Sequence, residues 1–144
     1  MRHRLWTAAL LLLAATASQA NPAGLWKTID DETQAARSLV RITASEGVWS
    51  GRIERLLGAD ANPKAVCALC TDERKGQPLV GLSIIRNMKA SADDAQVWEG
   101  GDITDPDNGK VYRLRLRPLA GGKQLEVRGY IGPFYRTQTW FRVE

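Results

Sequence analysis

Apolar and polar residues alternate most regularly between Gln96 and Pro118, on either side of the segment Asp105-Pro106-Asp107-Asn108-Gly109. Two alternating runs around a cluster of turn-forming residues predict a β-hairpin. If Thr104 pairs with Lys110, every second side chain of the two strands faces the same side of the sheet. The side chains on that side are Trp98, Gly100, Asp102, Tyr112, Leu114 and Leu116. Because they are mostly apolar, we expect this face to lie inside the protein.

The opposite face of the hairpin carries charges that support the same register. Glu99 lies across from Arg115, and opposite charges on paired strands stabilise a solvated sheet surface. If Leu116 pairs with Leu125 of the next strand, Glu126 also lies across from Arg115. The two registers together predict a ladder of charges on the outside of the sheet.

Alternation of the same kind recurs along the rest of the chain and predicts six further strands. They cover residues 24–29, 38–45, 48–57, 79–89, 124–131 and 135–143. The last strand mixes polar and apolar residues on both faces, so its pattern leaves the inward face open. One face holds Thr137, Thr139, Phe141 and Val143, and the other holds Arg136, Gln138, Trp140 and Arg142.

Eight strands joined mostly by short turns predict an up-and-down antiparallel sheet. Closing such a sheet into a barrel removes both exposed edges. A barrel of about eight strands has an interior that is just filled by side chains or that holds one small ligand. We therefore expect an all-β, eight-stranded barrel over residues 21–144, as a single domain.

The first 20 residues have the features of a secretory signal peptide. Arg2 and Arg4 precede an apolar run over residues 5–17, and Ser18-Gln19-Ala20 supplies small residues for cleavage before Asn21. The apolar run is shorter than the roughly 20 residues of a membrane-spanning helix. We expect cleavage between Ala20 and Asn21, a periplasmic or secreted protein, and no transmembrane span in the mature chain.

Composition excludes several classes of function once this segment is removed. The mature chain keeps 18 Lys and Arg against 16 Asp and Glu, a net charge of +2, with the two signs interleaved. This balance argues against a nucleic-acid-binding protein. His3, the only histidine, leaves with the signal. The mature chain therefore has no imidazole for a Ser-His or Cys-His nucleophile, or for a zinc or haem site.

Two cysteines lie in the long irregular segment over residues 58–78. Cys67 and Cys70 are three residues apart, and in an oxidising compartment this pair favours a disulfide. A thioredoxin-type site needs a strand before the motif and a helix after it, and a c-type haem needs histidine where Thr71 stands. Redox or metal chemistry remains the alternative. We expect no cofactor and no metal.

Several motifs spread along the mature chain match one known family. They are Gly24-x-Trp26 with Asp30-Asp31; Cys67 and Cys70; Trp98-Glu99-Gly100-Gly101 with Ile103; Asp105-Pro106 and Asn108-Gly109-Lys110-x-Tyr112; Val127-Arg128-Gly129-Tyr130-Ile131-Gly132; and Arg136-Thr137-Gln138-Thr139-Trp140-x-Arg142. Together they resemble the exported bacterial family called domain of unknown function 2147. The resemblance implies a lipocalin-like β-barrel and brings no known reaction.

A weaker resemblance connects the chain to the lipocalins proper. It rests on Gly24-x-Trp26 in the first strand and on an arginine near the end of the last. In lipocalins that arginine packs over the tryptophan and closes one end of the barrel. The resemblance implies that Arg142 or Arg136 has this structural role over Trp26.

The fold and the inward residues favour binding of a small apolar or amphipathic molecule without catalysis. The candidate lining of a ligand site is Trp98, Asp102, Tyr112, Leu114, Leu116 and Val127. Mostly apolar walls with a few polar groups are typical of small-molecule sites, although the same side chains can simply fill a barrel. A buried Asp102 favours a site, because a buried carboxylate needs a partner.

Two other functions are kept as alternatives. One is a structural or protein-interaction module of the cell envelope, for which the charged segment from Lys64 to Gln77 offers a contact. The other is a carboxylate-dependent hydrolase, which needs two acids converging on one cleft. Glu99 and Asp102 are three residues apart on a strand and point to opposite faces, so the hydrolase is the less favoured of the two.

Overall fold

The computed structural model describes residues 20–144. The predicted signal peptide falls on residues 1–19 and Ala20, almost entirely outside the described part, and stays a prediction. The described residues form eight strands and one short 3₁₀ turn. These elements are β1 (Gly24–Ile29), β2 (Ala36–Ser45), β3 (Val48–Leu56), β4 (Ser83–Ala90), β5 (Trp98–Thr104), β6 (Val111–Leu119), the 3₁₀ turn Ala120–Gly122, β7 (Gln124–Ile131) and β8 (Phe134–Arg142).

The strands form a closed antiparallel barrel in which each strand pairs with its neighbours in sequence and β8 returns to β1. The pairing between β1 and β8 is short: Trp26 with Arg142 and Lys27 with Phe141. The predicted eight-stranded up-and-down barrel is therefore confirmed. The fourth predicted strand begins four residues later than expected, at Ser83, because Gly81 adopts a positive φ of 90° that breaks the extended chain. Within residues 20–144 the structure contains no helix of the length and apolarity that a membrane crossing requires.

The register of the central hairpin differs from the prediction at its turn. Thr104 pairs with Val111 instead of Lys110, because Asp105 and Lys110 close the turn through a 2.9 Å backbone hydrogen bond. A β-bulge then adds one residue to β5 between Trp98 and Gly101, where Gly100 has a φ of 86°. A bulge opposes two residues to one and reverses the side-chain parity beyond it.

This bulge makes the predicted inward position of Asp102 wrong. Gly101 and Ile103, which pair with Leu114 and Tyr112, face the interior in its place. Asp102 lies on the outer face, between Arg86 of β4 and Arg113 of β6. One of its carboxylate oxygens is buried and accepts no hydrogen bond from any described residue.

The part of the predicted charge ladder between β6 and β7 is wrong, whereas the pairing of Trp98 with Leu116, on which the Glu99–Arg115 part depends, is as predicted. Arg115 pairs with Arg128, and Glu126 pairs with Arg117. The slip is two residues, so inward residues such as Val127 keep the predicted parity while the charged pairs change. Glu126 approaches Arg128 on its own strand, at 4.0 Å.

Apolar side chains fill the half of the barrel in which β1 begins and β8 ends. Trp26 is fully buried there, and Trp49 meets Trp98 edge to face with ring centroids 5.8 Å apart. The other buried members of this core include Val40, Ile42, Met88, Leu114, Leu116 and Leu125.

The connection between β3 and β4, residues 57–82, folds back on the barrel instead of extending into solvent. Cys67 and Cys70 form the predicted disulfide, and both are buried. Gly109 of the β5–β6 turn approaches the loop so closely that a β-carbon there would collide with the Leu69 carbonyl. Arg86 holds the loop by an ion pair of 2.5 Å to Glu73.

Candidate functional site

A cavity of about 420 Å³ opens at the end of the barrel that carries the β1–β2, β3–β4 and β5–β6 connections. Strands β3, β5, β7 and β8 supply its apolar wall through alternate residues. The main apolar side chains of the wall are Ile53, Leu56, Ile103, Val127 and Trp140. Gly129 of β7 packs closely beside Tyr112, whose β-carbon would lie 3.3 Å from a β-carbon added at Gly129. The barrel is therefore hollow at one end and filled at the other.

A few polar groups are placed among these apolar residues. The hydroxyls of Thr28 and Ser38 share a buried hydrogen bond of 2.8 Å. The indole nitrogen of Trp140 donates to the Gln138 side-chain carbonyl at 3.1 Å. The Tyr112 hydroxyl accepts a hydrogen bond from the Asn108 amide at 3.2 Å. Each of these groups has a hydrogen-bond partner within the protein, whereas the buried Thr104 hydroxyl, which also lines the cavity, has none among the described residues.

Arg37 and Asp107 form a bridge across one side of the cavity mouth. The Arg37 guanidinium donates to both carboxylate oxygens of Asp107, at 3.0 Å for the Nη2–Oδ1 contact, and approaches Asp30 at 3.4 Å. The hydrogen bonds that Arg37 donates to Asp107 raise the pKa of Arg37 above its usual value. Arg37 is the second residue of β2 and Asp107 lies in the β5–β6 turn, so the bridge joins two distant parts of the rim.

Asp31 organises the other side of the mouth. It accepts a 2.8 Å hydrogen bond from the Gln138 amide and lies 3.3 Å from Nε of Arg136. Backbone hydrogen bonds from Thr33 hold the pKa of neighbouring Asp30 below its usual value. Counting Glu32 and Asp105 as well, the residues lining the mouth include five carboxylates and two guanidiniums. The rim therefore has an excess of negative charge.

The opposite end of the barrel is closed by Arg142. Its guanidinium stacks over the Trp26 ring at 4.3 Å and donates to the carbonyls of Asn21 at 3.0 Å and Ala23 at 2.7 Å. Another donor of the same guanidinium binds the Gly122 carbonyl. Arg142 thus has the closing role expected for one of two arginines. Arg136 does not have it, because it lies six residues up the strand at the open mouth.

The candidate lining residues divide between three places. Tyr112 and Val127 line the cavity. The side chains of Trp98, Leu114 and Leu116 are buried in the filled part of the barrel, outside the cavity wall. Asp102 is on the outer face, as described above.

Sequence reasoning missed several residues of the cavity, among them Ile53, Ile103, Gln138 and Trp140. A usable signal existed for two of them. Once Arg142 is placed over Trp26, the two-residue period of a strand puts Trp140, Gln138 and Arg136 on the same inward face. The register confirms this parity, with Gln138 beside Val127. Ile103 could not be identified without knowledge of the bulge at Gly100, which turns its side chain inward.

A family model described as an uncharacterized protein conserved in bacteria, DUF2147, matches residues 24–142. The chain belongs to the DUF2147 family. A solved structure with the same fold is HP1028 from Helicobacter pylori, described as a member of the lipocalin family. That structure and this DUF2147 chain align with a TM-score of 0.73 and 17% identity, over 87% of this chain and 84% of the other. No curated protein matches the sequence significantly.

The arrangement encloses an apolar space and places charged side chains at its entrance. Within residues 20–144 no group of three or more His, Cys, Asp and Glu side chains is placed to hold a metal ion. The rim carboxylates Asp30, Asp31 and Asp107 are held by hydrogen bonds or ion pairs to neighbouring side chains. The site is an apolar cavity with a charged entrance.

Proposed function

We propose that this protein is an exported, non-catalytic binding protein for a small amphipathic molecule, which it holds in the open half of the barrel. The observation that carries the proposal is the cavity of about 420 Å³ with apolar walls. Small-molecule sites have volumes of roughly 300–1,000 Å³ and are lined mainly by apolar side chains. The cavity falls within that range, whereas a filled barrel would leave no such space.

The wall and the rim suit different ends of such a ligand. Burial of the ligand's apolar part against Ile53, Ile103 and Val127 provides the driving force, at roughly 25 cal/mol per Å² of apolar surface removed from water. Its polar part remains at the mouth. Because Arg37 and Arg136 are both engaged by carboxylates, the rim favours an ammonium or hydroxyl group over a carboxylate.

A fluorescent naphthylamine probe tests this proposal in the full-length mature protein. We expect saturable binding with enhanced fluorescence and displacement by dodecylamine. Val127→Phe places a ring in the cavity and should weaken probe binding at least about tenfold, because overpacking leaves no room for the ligand. Native mass spectrometry of protein purified gently from its own compartment should in addition reveal a bound small molecule.

The matched control is Val111→Phe, which adds the same volume on the exposed outer face of β6. It should bind the probe as the unmodified protein does. Equal loss in both variants, or a protein that binds no probe and is repeatedly recovered ligand-free, would contradict a ligand site in the cavity.

A further inference from the structure

The charge of the chain is divided unevenly around the barrel. Between Val111 and Val143, which comprises β6, β7 and β8, the sequence has seven basic residues and one acidic residue, Glu126. The rest of the mature chain is acidic overall. Arg113 and Arg115 on β6 make no ion pair with any described residue, and the ion pair of Arg128 with Glu126 is long, at 4.0 Å. Arg117 and Arg136 pair with Asp94 and Asp31, so the basic character of this side depends on Arg113, Arg115 and Arg128.

The turn that joins β7 and β8 exposes an apolar cluster next to these arginines. Phe134 is 75% exposed, Tyr135 61% and Ile131 44%. Large apolar side chains grouped at a protruding turn are uncommon on a soluble surface, and they mark contacts with a membrane or a protein. The turn belongs to the open end of the barrel, beside Arg136 of the cavity rim.

Two arginines support the aromatic side chains of this turn. Arg113 stacks over the Tyr130 ring at 5.5 Å, and Arg128 stacks over the Tyr135 ring at 4.6 Å. Arg113 also donates to the Gly132 carbonyl at 3.3 Å. The cations and the apolar cluster therefore form one surface, which we call the basic hairpin tip (Arg113, Arg128, Ile131, Phe134 and Tyr135).

We propose that the basic hairpin tip docks the protein on an anionic phospholipid bilayer. Arginines near a membrane surface are attracted by anionic headgroups, and tyrosine with its polar hydroxyl is enriched at the headgroup level. Phe134, the most exposed of the large apolar side chains, and Ile131 would enter the acyl region. A purely polyanionic partner would use the arginines and leave the exposed Phe134 without a contact.

Co-sedimentation with vesicles tests the docking in the full mature chain. Vesicles of one part phosphatidylglycerol to two parts phosphatidylcholine should bind the protein, and pure phosphatidylcholine vesicles should bind it much less. Phe134→Ser should weaken binding about tenfold by removing an inserted ring. Arg113→Gln should weaken it about fivefold, and raised salt should act in the same direction.

Two variants serve as matched controls. Phe141→Ser makes the same change at the other end of β8, and Arg52→Gln removes an exposed arginine from β3. Both should bind anionic vesicles as the unmodified protein does. Three results would each overturn the proposal. The first is equal binding to the two kinds of vesicle, and the second is an equal loss of vesicle binding in Phe134→Ser and Phe141→Ser. The third is a protein that does not bind vesicles but forms a concentration-dependent dimer that Phe134→Ser abolishes. None of these results depends on whether the cavity holds a ligand.

Discussion

The two ends of the barrel use arginine in opposite ways. At the closed end, Arg142 faces neutral groups: the Trp26 ring and three backbone carbonyls. At the open end, Arg37 and Arg136 face carboxylates in exposed ion pairs. The first arrangement joins the N-terminal segment, β1 and the β6–β7 turn into one unit. The ion pairs at the open end lie on the rim and do not fill the cavity.

This difference shows that the partners of an arginine, more than its presence, decide what it contributes. A half-buried guanidinium that supplies donors to otherwise unpaired carbonyls stabilises the fold, because each carbonyl would lose its partner without it. An exposed ion pair is screened by water and salt and contributes at most about 1 kcal/mol. We therefore expect the closed end to determine stability and the open end to determine binding.

The largest expected effect comes from removing the closing arginine. Arg142→Ala should lower the free energy of unfolding by about 3 kcal/mol, through the lost stacking on Trp26 and the unpaired carbonyls. Arg136→Ala, on the same strand and face, should lower it by less than about 1 kcal/mol. Urea unfolding followed by tryptophan fluorescence measures both. Equal losses of unfolding free energy in the two variants would contradict the claim that the closed end determines stability.

The next largest difference in stability is expected between two glycine substitutions, one in each half of the barrel. A β-carbon at Gly24 would lie 2.7 Å from the Glu144 carbonyl oxygen and collide with Arg142, at a φ of 140°. Gly24→Ala should therefore cost about 2 kcal/mol. Gly129→Ala meets only side-chain atoms, of Tyr112 at 3.3 Å and Ile103 at 4.0 Å beside the cavity, and should change stability by less than about 0.5 kcal/mol. Thermal unfolding of the two variants that gives shifts of similar size would contradict this contrast.

The charge of the rim should appear in the choice of ligand headgroup. Dodecylamine should displace the naphthylamine probe at about tenfold lower concentration than dodecanoate, because carboxylates outnumber guanidiniums at the mouth. The double variant Glu32→Gln and Asp105→Asn should narrow that ratio. The control Glu46→Gln and Asp93→Asn neutralises two acids in the closed-end turns and should leave it unchanged. A preference of the unmodified protein for dodecanoate would contradict the conclusion that the negative charge of the rim selects the ligand headgroup.

The smallest effect is a local response to acid in the connection between β3 and β4 (residues 57–82), at the open end. Hydrogen bonds from Arg74 hold the pKa of Asp72 well below its usual range, and Arg86 similarly lowers the pKa of Glu73. Carboxyls with lowered folded-state pKa values stabilise the loop fully above their unfolded values, near 3.9 and 4.3, and progressively less as the pH falls through the folded values.

Amide exchange protection factors, which remove the intrinsic effect of pH, measure this response. Below about pH 4 the protection of the Cys67 and Gly76 amides, both hydrogen-bonded within the loop, should fall. The Arg142 amide, bonded to the Lys123 carbonyl at the closed end, should keep its protection, because a peptide carbonyl does not titrate in this range. A parallel decline at both ends would indicate global acid unfolding instead.

The strands, their order and the closed barrel followed from the sequence because each depends on local alternation and turn residues. The disulfide followed from spacing and the expected compartment. The register of the central hairpin did not, because it depended on the turn closing at Asp105 and Lys110 and on the bulge at Gly100. Two adjacent glycines in a predicted strand are a recognised sign of a bulge, but they do not say which residue is extra.

The cavity was the least predictable feature. Hollowness depends on the sum of packing around the whole barrel, which alternation does not encode. Tyr112 and Val127 were identified because their parity survived both register errors. Asp102 was misplaced because a single inserted residue reverses the parity of everything beyond it. The rim residues were visible in the sequence as turns, yet their convergence on one mouth is a property of the closed barrel.

The most direct test is a titration of isotope-labelled protein with dodecylamine, followed by amide chemical shifts. We expect saturable shifts at Ile103, Val127, Gly129 and Trp140 and almost none at Ile42, Leu116 and Leu125. That result would place the ligand in the open half of the barrel. Shifts concentrated on the outer face, or spread equally over both halves, would contradict a barrel that is hollow and receptive at one end and solid at the other.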